Sequence, residues 1–201
     1  MGAIGNIVVI GMLGLAAVIY TGSHATAQIA ADTATNAAGR LSVLQVEGLA
    51  KQLINQYGFN VTPQMAAAIA VVESGDVNNI AAGVMTCDTR QEPQIGDAST
   101  GMMQTLLSTA QWLATSKGYT AYGVPTAQML CTPQISMYFG LAYLDYLTTY
   151  GSAPQVNAFL SGQSELDGWV VQSYNAGPGN SSPAYLAKYN QAYDAIVYGG
   201  G

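Results

Sequence analysis

Apolar residues gather in two ways along this chain, as one continuous block near the start and as periodic stretches further on. The block runs from Ala3 to Tyr20 with no charge and Asn6 as its one polar side chain. Its length is close to the minimum for a helix crossing the hydrocarbon core, so the first reading is a transmembrane anchor over residues 1–22. A cleaved secretory signal is the rival, because Ala25-Thr26-Ala27 resembles a small-residue cleavage site. Against it, no Lys or Arg precedes the apolar run. A buried hairpin or a packing element of a larger assembly is the third possibility. Residues 23–39, rich in Ala, Thr, Ser and Asn, read as a linker, and residues 40–201 as the folded domain.

Within that domain Leu41, Leu44, Leu49, Leu53 and Ile54 recur at helical spacing, and Tyr57-Gly58 is a plausible stop. Thr62-Pro63 then offers a capping hydroxyl and a proline at the first helical position, where its missing N–H is not needed. The helix it predicts, Gln64 to Glu73, is apolar all round and should be buried. The same start recurs as Thr132-Pro133 before Ile135 to Tyr150, ended by Gly151, and as Ser182-Pro183 before Ala184 to Val197. Pro154 predicts another short helix. Between Gly75 and Gly101 there is no sustained period, which predicts a long loop with room for a short ribbon. The fold class is thus mainly α.

Charge narrows the partners. With a net charge of −6 and five Lys plus Arg in the whole chain, little cationic surface is left for phosphates, which argues against nucleic acid. The sole histidine, His24, and the two cysteines show no zinc spacing, and no metal or cofactor is implied. If the domain is exported, Cys87 and Cys131 could pair; two separate buried thiols remain the alternative.

Glu73 is the candidate for chemistry. It lies at the C-terminal end of an apolar helix, where the helix dipole and scarce water both disfavour a carboxylate and should raise its pKa. A carboxyl kept protonated near neutral pH can donate to a glycosidic oxygen. Taken alone, the residue could equally leave the helix for solvent.

The surrounding motifs decide between these. Glu73-Ser74, then Gly101-Met102-Met103-Gln104, then Tyr174-Asn175-Ala176-Gly177-Pro178-Gly179 resemble, in order, three signatures of the lytic transglycosylase domain of the goose-type lysozyme superfamily. Ala142-Tyr143-Leu144-Asp145-Tyr146-Leu147 with Tyr150-Gly151 is similar to the family's intervening helix, and Pro183-Ala184-Tyr185 falls where its last helix begins. The resemblance covers residues 60 to 198. It implies a lysozyme-like helical fold whose cleft binds peptidoglycan glycan strands and cuts between N-acetylmuramic acid and N-acetylglucosamine. Glu73 would be the single catalytic acid, turning base toward the muramoyl 6-hydroxyl to leave a 1,6-anhydro end. Ser74, Ser99, Gly101, Met103, Gln104, Tyr174 and Asn175 would contact substrate, with the Tyr174 hydroxyl orienting the acid or the sugar. Ordinary core packing is the alternative for Met102, Met103 and Tyr174.

Two departures stand out. Gln104 follows Glu73 by 31 positions, more than the family usually allows, so the segment bearing Cys87, Asp88, Arg90 and Glu92 reads as an insertion. Where the family tends to place a serine, nine positions before the glutamine, this chain has Ile95; Ser99 or Thr100 could substitute. Should Asp88, Glu92 or Asp97 face the cleft, it could activate water and make the enzyme a lysozyme-type hydrolase. The apolar run adds an expectation of setting: a membrane-held enzyme facing the cell wall or carried in a virion, opening the wall for a virion entry device or a secretion channel alongside its other components. A silent glycan-binding component of the same fold is the remaining alternative.

Overall fold

The computed structural model describes residues 39–150 and 166–199. The apolar run 3–20, the Ala25-Thr26-Ala27 site, the linker up to residue 38, the Gly151 stop and the Pro154 helix lie outside these residues. Among the described residues, no helix is long and apolar enough to cross a membrane.

Strand β1 (Arg40–Leu41) leads into helix α1 (Val43–Tyr57), and helix α2 (Pro63–Ser74) follows. A 3-10 turn (Ile80–Ala82) precedes strands β2 (Val84–Met85), β3 (Thr89–Glu92), β4 (Asp97–Thr100) and β5 (Thr105–Leu106). The remainder is helical: α3 (Leu107–Ser116), α4 (Ala127–Leu130), α5 (Pro133–Tyr150), α6 (Leu166–Ala176) and α7 (Pro183–Val197).

The capping chemistry explains why the helices start where they do. Ser42 and Gln45 form a reciprocal capping box that begins α1 two residues after Leu41, so Leu41 belongs to β1 and pairs with Val84. Val46, Leu49, Ala50 and Leu53 make the buried face of α1, while Leu44, expected on that face, is 80% exposed. Thr62 accepts from the Met65 N–H at 3.1 Å, with Pro63 just inside the helix. Ser182-Pro183 does open α7, but the Ser182 hydroxyl donates to Asn175 Oδ1 at 3.0 Å instead of capping the helix.

Helix α2 is the centre of the core. From Met65 to Val71 every side chain is buried, and the small Ala66, Ala67, Ala68 and Ala70 let neighbouring helices approach. It packs chiefly against α7 and α1, and also meets α5. This arrangement aims the C-terminal end of α2, and with it Glu73, toward the ribbon made by β3, β4 and β5.

The expected loop after Glu73 is therefore more ordered than its sequence suggests. Strands β3 and β4 form an antiparallel hairpin in which Arg90 faces Ser99 and Glu92 faces Asp97. Strand β5 adds to it with Leu106 opposite Ser99. Directly paired residues share a face of the pleat, so Arg90, Ser99 and Leu106 form one row across the sheet.

Candidate active site

That row is one wall of a cleft of about 360 Å³. Glu73, Arg90, Glu92, Ile95, Ser99, Gln104 and Thr105 line it together with Leu106, Thr109, Tyr143, Tyr174, Asn175 and Gly177. Helix α2 supplies the carboxyl, the ribbon one side, and α5 and α6 the aromatic floor, where the Tyr143 and Tyr174 rings lie 5.3 Å apart.

Glu73 is partly buried, and its pKa is pushed from 4.5 up to about 7. Burial is the dominant cause; a hydrogen bond from Tyr185 and the charges of Arg90 and Lys188 oppose it. The Tyr185 hydroxyl donates to Glu73 Oε1 at 2.6 Å. Burial, and then the neighbouring Glu73 charge, hold the Tyr185 phenol well above its usual range, so it stays a neutral donor. The result is a carboxyl that exchanges a proton near neutral pH while one oxygen is held in place.

Gln104 faces the cleft under backbone strain. It has φ 45°, the one described non-glycine residue in the left-handed region. Its amide N–H group donates to the carbonyls of Gly101 (2.7 Å) and Asp88 (3.0 Å), which hold that conformation. Its Oε1 is buried with no protein partner, an unused acceptor.

The transglycosylase SLT domain family matches this chain over residues 52–197, a span that contains every one of these groups. The chain belongs to that family. It is a lytic transglycosylase acting on peptidoglycan, an enzyme of cell-wall degradation with a lysozyme-like helical fold. A search among curated proteins finds no match.

In this SLT domain the residues expected at the site separate into two groups. Glu73, Ser99, Gln104, Tyr174 and Asn175 line the cleft. Ser74, Gly101 and Met103 do not; they are buried behind it, which corrects the expectation that they meet sugar. The Ser74 hydroxyl donates to the Gly101 carbonyl at 3.2 Å, tying the turn to α2. Gly101, at φ 81°, presses against the Leu130 carbonyl and the Ser136 hydroxyl, so any side chain there would collide with α4 and α5. Met103 is fully buried against Gly140, and Met102 is fully buried as well, the packing alternative for both.

Tyr174 lines the cleft, but its hydroxyl is committed elsewhere. It donates to the Met103 carbonyl at 2.8 Å and lies 3.3 Å from Thr105 Oγ1. The tyrosine whose hydroxyl meets the Glu73 carboxyl is Tyr185, which the motif left without a role. In the sequence it was marked only by Pro183-Ala184-Tyr185 at the start of the last helix. Tyr143, Thr105, Thr109 and Arg90 were also missed as cleft residues.

The loop acids sort themselves by partner. Asp97 spends both carboxylate oxygens on main-chain N–H groups and Ser108. Burial works against its charge, but those bonds hold Asp97 below the usual carboxylate range. Asp88 pairs with Arg90 at 3.1 Å. Glu92 alone of the three lines the cleft. Ile95, in the expected serine position, is 63% exposed at the rim, and Ser99 takes the wall position beside Arg90. Cys87 and Cys131 form a disulfide joining the base of the ribbon to the end of α4. No group of His, Cys, Asp and Glu among the described residues could hold a metal ion.

Proposed function

We propose that Glu73 is the one acid–base group with which this transglycosylase cuts the bond between N-acetylmuramic acid and N-acetylglucosamine. The protonated carboxyl gives its proton to the glycosidic oxygen as the bond to the muramoyl C1 breaks. The resulting carboxylate takes the proton of the muramoyl 6-hydroxyl, whose oxygen closes on C1 to leave a 1,6-anhydro end. Proton and oxygen balance without water, so one carboxyl suffices. The observation that carries this reading is a carboxyl in the cleft whose pKa lies near 7 while a neutral tyrosine holds one of its oxygens. The free Gln104 acceptor suits a sugar hydroxyl or an N-acetyl N–H, and Ser99 and Asn175 supply further polar contacts. Glu73→Gln tests it. Release of muropeptides from purified cell walls should fall about a thousandfold, within the usual range for general acid–base catalysis. Release at the parent rate refutes the assignment.

One observation favours a second reading. Glu92 lines the same cleft and could activate water, giving reducing ends as a lysozyme-type hydrolase does. Mass spectrometry of the products separates the two. Anhydro ends that persist in Glu92→Gln support the first, and reducing ends that vanish in Glu92→Gln support the second.

For the setting, the uncharged run from Ala3 to Tyr20 supports a membrane tether that confines cutting to one place, as a virion entry device or secretion channel would need. Carbonate washing of membranes carrying the whole chain or a variant lacking residues 1–22 tests the tether. The whole chain should resist extraction and the shortened one should not.

A further inference from the structure

The ribbon that separates Glu73 from Gln104 in sequence reaches back to the acid. Arg90 Nη2 donates to the main-chain carbonyl of Glu73 at 2.5 Å, and its Nε to Asp88 Oδ2 at 3.1 Å. The Glu73 carbonyl is one of the last four in α2, which no helical N–H can satisfy. Helix α2 has no basic residue of its own in its last turn, so the cation at its negative end comes from β3. Arg90 is itself braced from behind. The Asp88 carbonyl accepts from the Gly101 N–H at 2.8 Å and from Gln104 at 3.0 Å, and the adjacent Cys87 is bound to Cys131.

We propose that Arg90 is a positioning residue for the catalytic carboxyl, tying the end of α2 to the ribbon so that cleft wall and acid move as one piece. This rests on Glu73 being the acid. The other groups facing Glu73 are Tyr185 and Lys188 from α7, Tyr174 from α6, and Glu92 across the cleft. Of these, Tyr185 acts on a carboxylate oxygen, whereas Arg90 acts on the main chain of the same residue and adds a positive charge beside it. That charge favours the carboxylate, so its removal should raise the pH at which Glu73 gives up its proton.

The test compares Arg90→Gln and Arg90→Lys with the parent enzyme by three readouts: kcat against pH on glycan strands, thermal midpoint, and direct titration of Glu73 by carbon NMR of labelled glutamate. In Arg90→Gln, kcat should fall on the order of tenfold, the loss of one charge-assisted hydrogen bond. Its alkaline limb and its Glu73 titration should both move to higher pH. Arg90→Lys, which keeps the charge but not the fork, should hold the limb near its parent position while regaining part of kcat. The thermal midpoint should stay within a few degrees in both, because the Arg90–Asp88 pair is solvent-exposed. A Glu73 carboxyl that titrates at the parent pH in Arg90→Gln overturns the proposal. So does a loss of activity matched by a loss of thermal stability. A carboxyl that moves while the rate limb stays put upholds the Arg90 contact and refutes instead Glu73 as the acid.

Discussion

The helices α2 and α7 and the β3–β4 ribbon meet at Glu73, but different forces hold them there. The helices are joined by dry packing: α2 packs against α7, its Ala66, Ala67, Ala68 and Ala70 are fully buried, and Tyr185 and Tyr189 of α7 are almost wholly buried. The ribbon has few buried side chains. It is held by its pairing, by the Cys87–Cys131 bond and by hydrogen bonds to the main chain of Asp88 and Gly101. Apolar contact sets where the acid is, because a packed helix end has little freedom to shift. Polar and covalent contact sets what faces the acid.

The comparison breaks most strongly if a core cavity in α2 spares the enzyme. Ile69 is fully buried, and Ile69→Ala should cost about 4 kcal/mol, lowering the urea midpoint and activity together. The ribbon should respond differently. The disulfide closes 44 residues of chain, and replacing both cysteines by serine should cost about 4 kcal/mol by the chain-entropy argument. Far-UV circular dichroism should keep its helical signal at low temperature while kcat drops, since the base of the wall is loosened and α2 is not. Full activity in the serine variant would show that the ribbon is not a working wall.

What the sequence disclosed follows the same division. Helices α2, α5 and α7 were legible because a Ser or Thr followed by Pro marks each start ahead of an apolar stretch, and α1 because its leucines recur at helical spacing. Helices α3, α4 and α6 carry weaker start signals; α3 begins at Leu106-Leu107 with no side-chain cap at all. The ribbon was hidden because its strands are two to four residues long and its register is set by contacts distant in sequence. Glu73 and Gln104 could be read from ordered motifs. The reassignment of Ser74, Gly101 and Met103 could not, since burial behind a cleft depends on where Leu130, Ser136 and Gly140 arrive in space. Tyr185 was missed for a similar reason, as its bond to Glu73 spans 112 positions.

Stability against pH isolates the helical side of the comparison. The Glu73 pKa rises from 4.5 when unfolded to about 7 when folded. Between those values the native chain keeps a proton that the unfolded chain has released, so the contribution of Glu73 to stability is greatest below pH 4.5 and declines as pH rises toward 7. The full shift corresponds to about 3 kcal/mol at most, and partial exposure of the carboxyl reduces it to about 2. Glu73→Gln cannot titrate. Its thermal midpoint should match the parent at pH 4 and exceed it by about 5 °C at pH 8. Equal midpoints at both pH values would mean that the carboxyl is not held in a dry site.

The smallest effect sought is on the α7 side of Glu73. Tyr185→Phe keeps the ring and its packing but removes the donor from Glu73 Oε1. One hydrogen bond to a partly charged group amounts to about 1 kcal/mol, so kcat should fall about fivefold with little change in thermal midpoint. The bond favours the carboxylate, so its loss should raise the Glu73 pKa and carry the alkaline limb of the rate profile to higher pH, in the same direction as Arg90→Gln. The two contacts use different atoms of Glu73 and come from different regions. If helix and ribbon hold the acid independently, the double variant should show the sum of the two losses in free energy. A double variant no worse than either single one would mean that both contacts belong to one coupled unit, and the division between packed scaffold and ribbon wall would not extend to the acid itself.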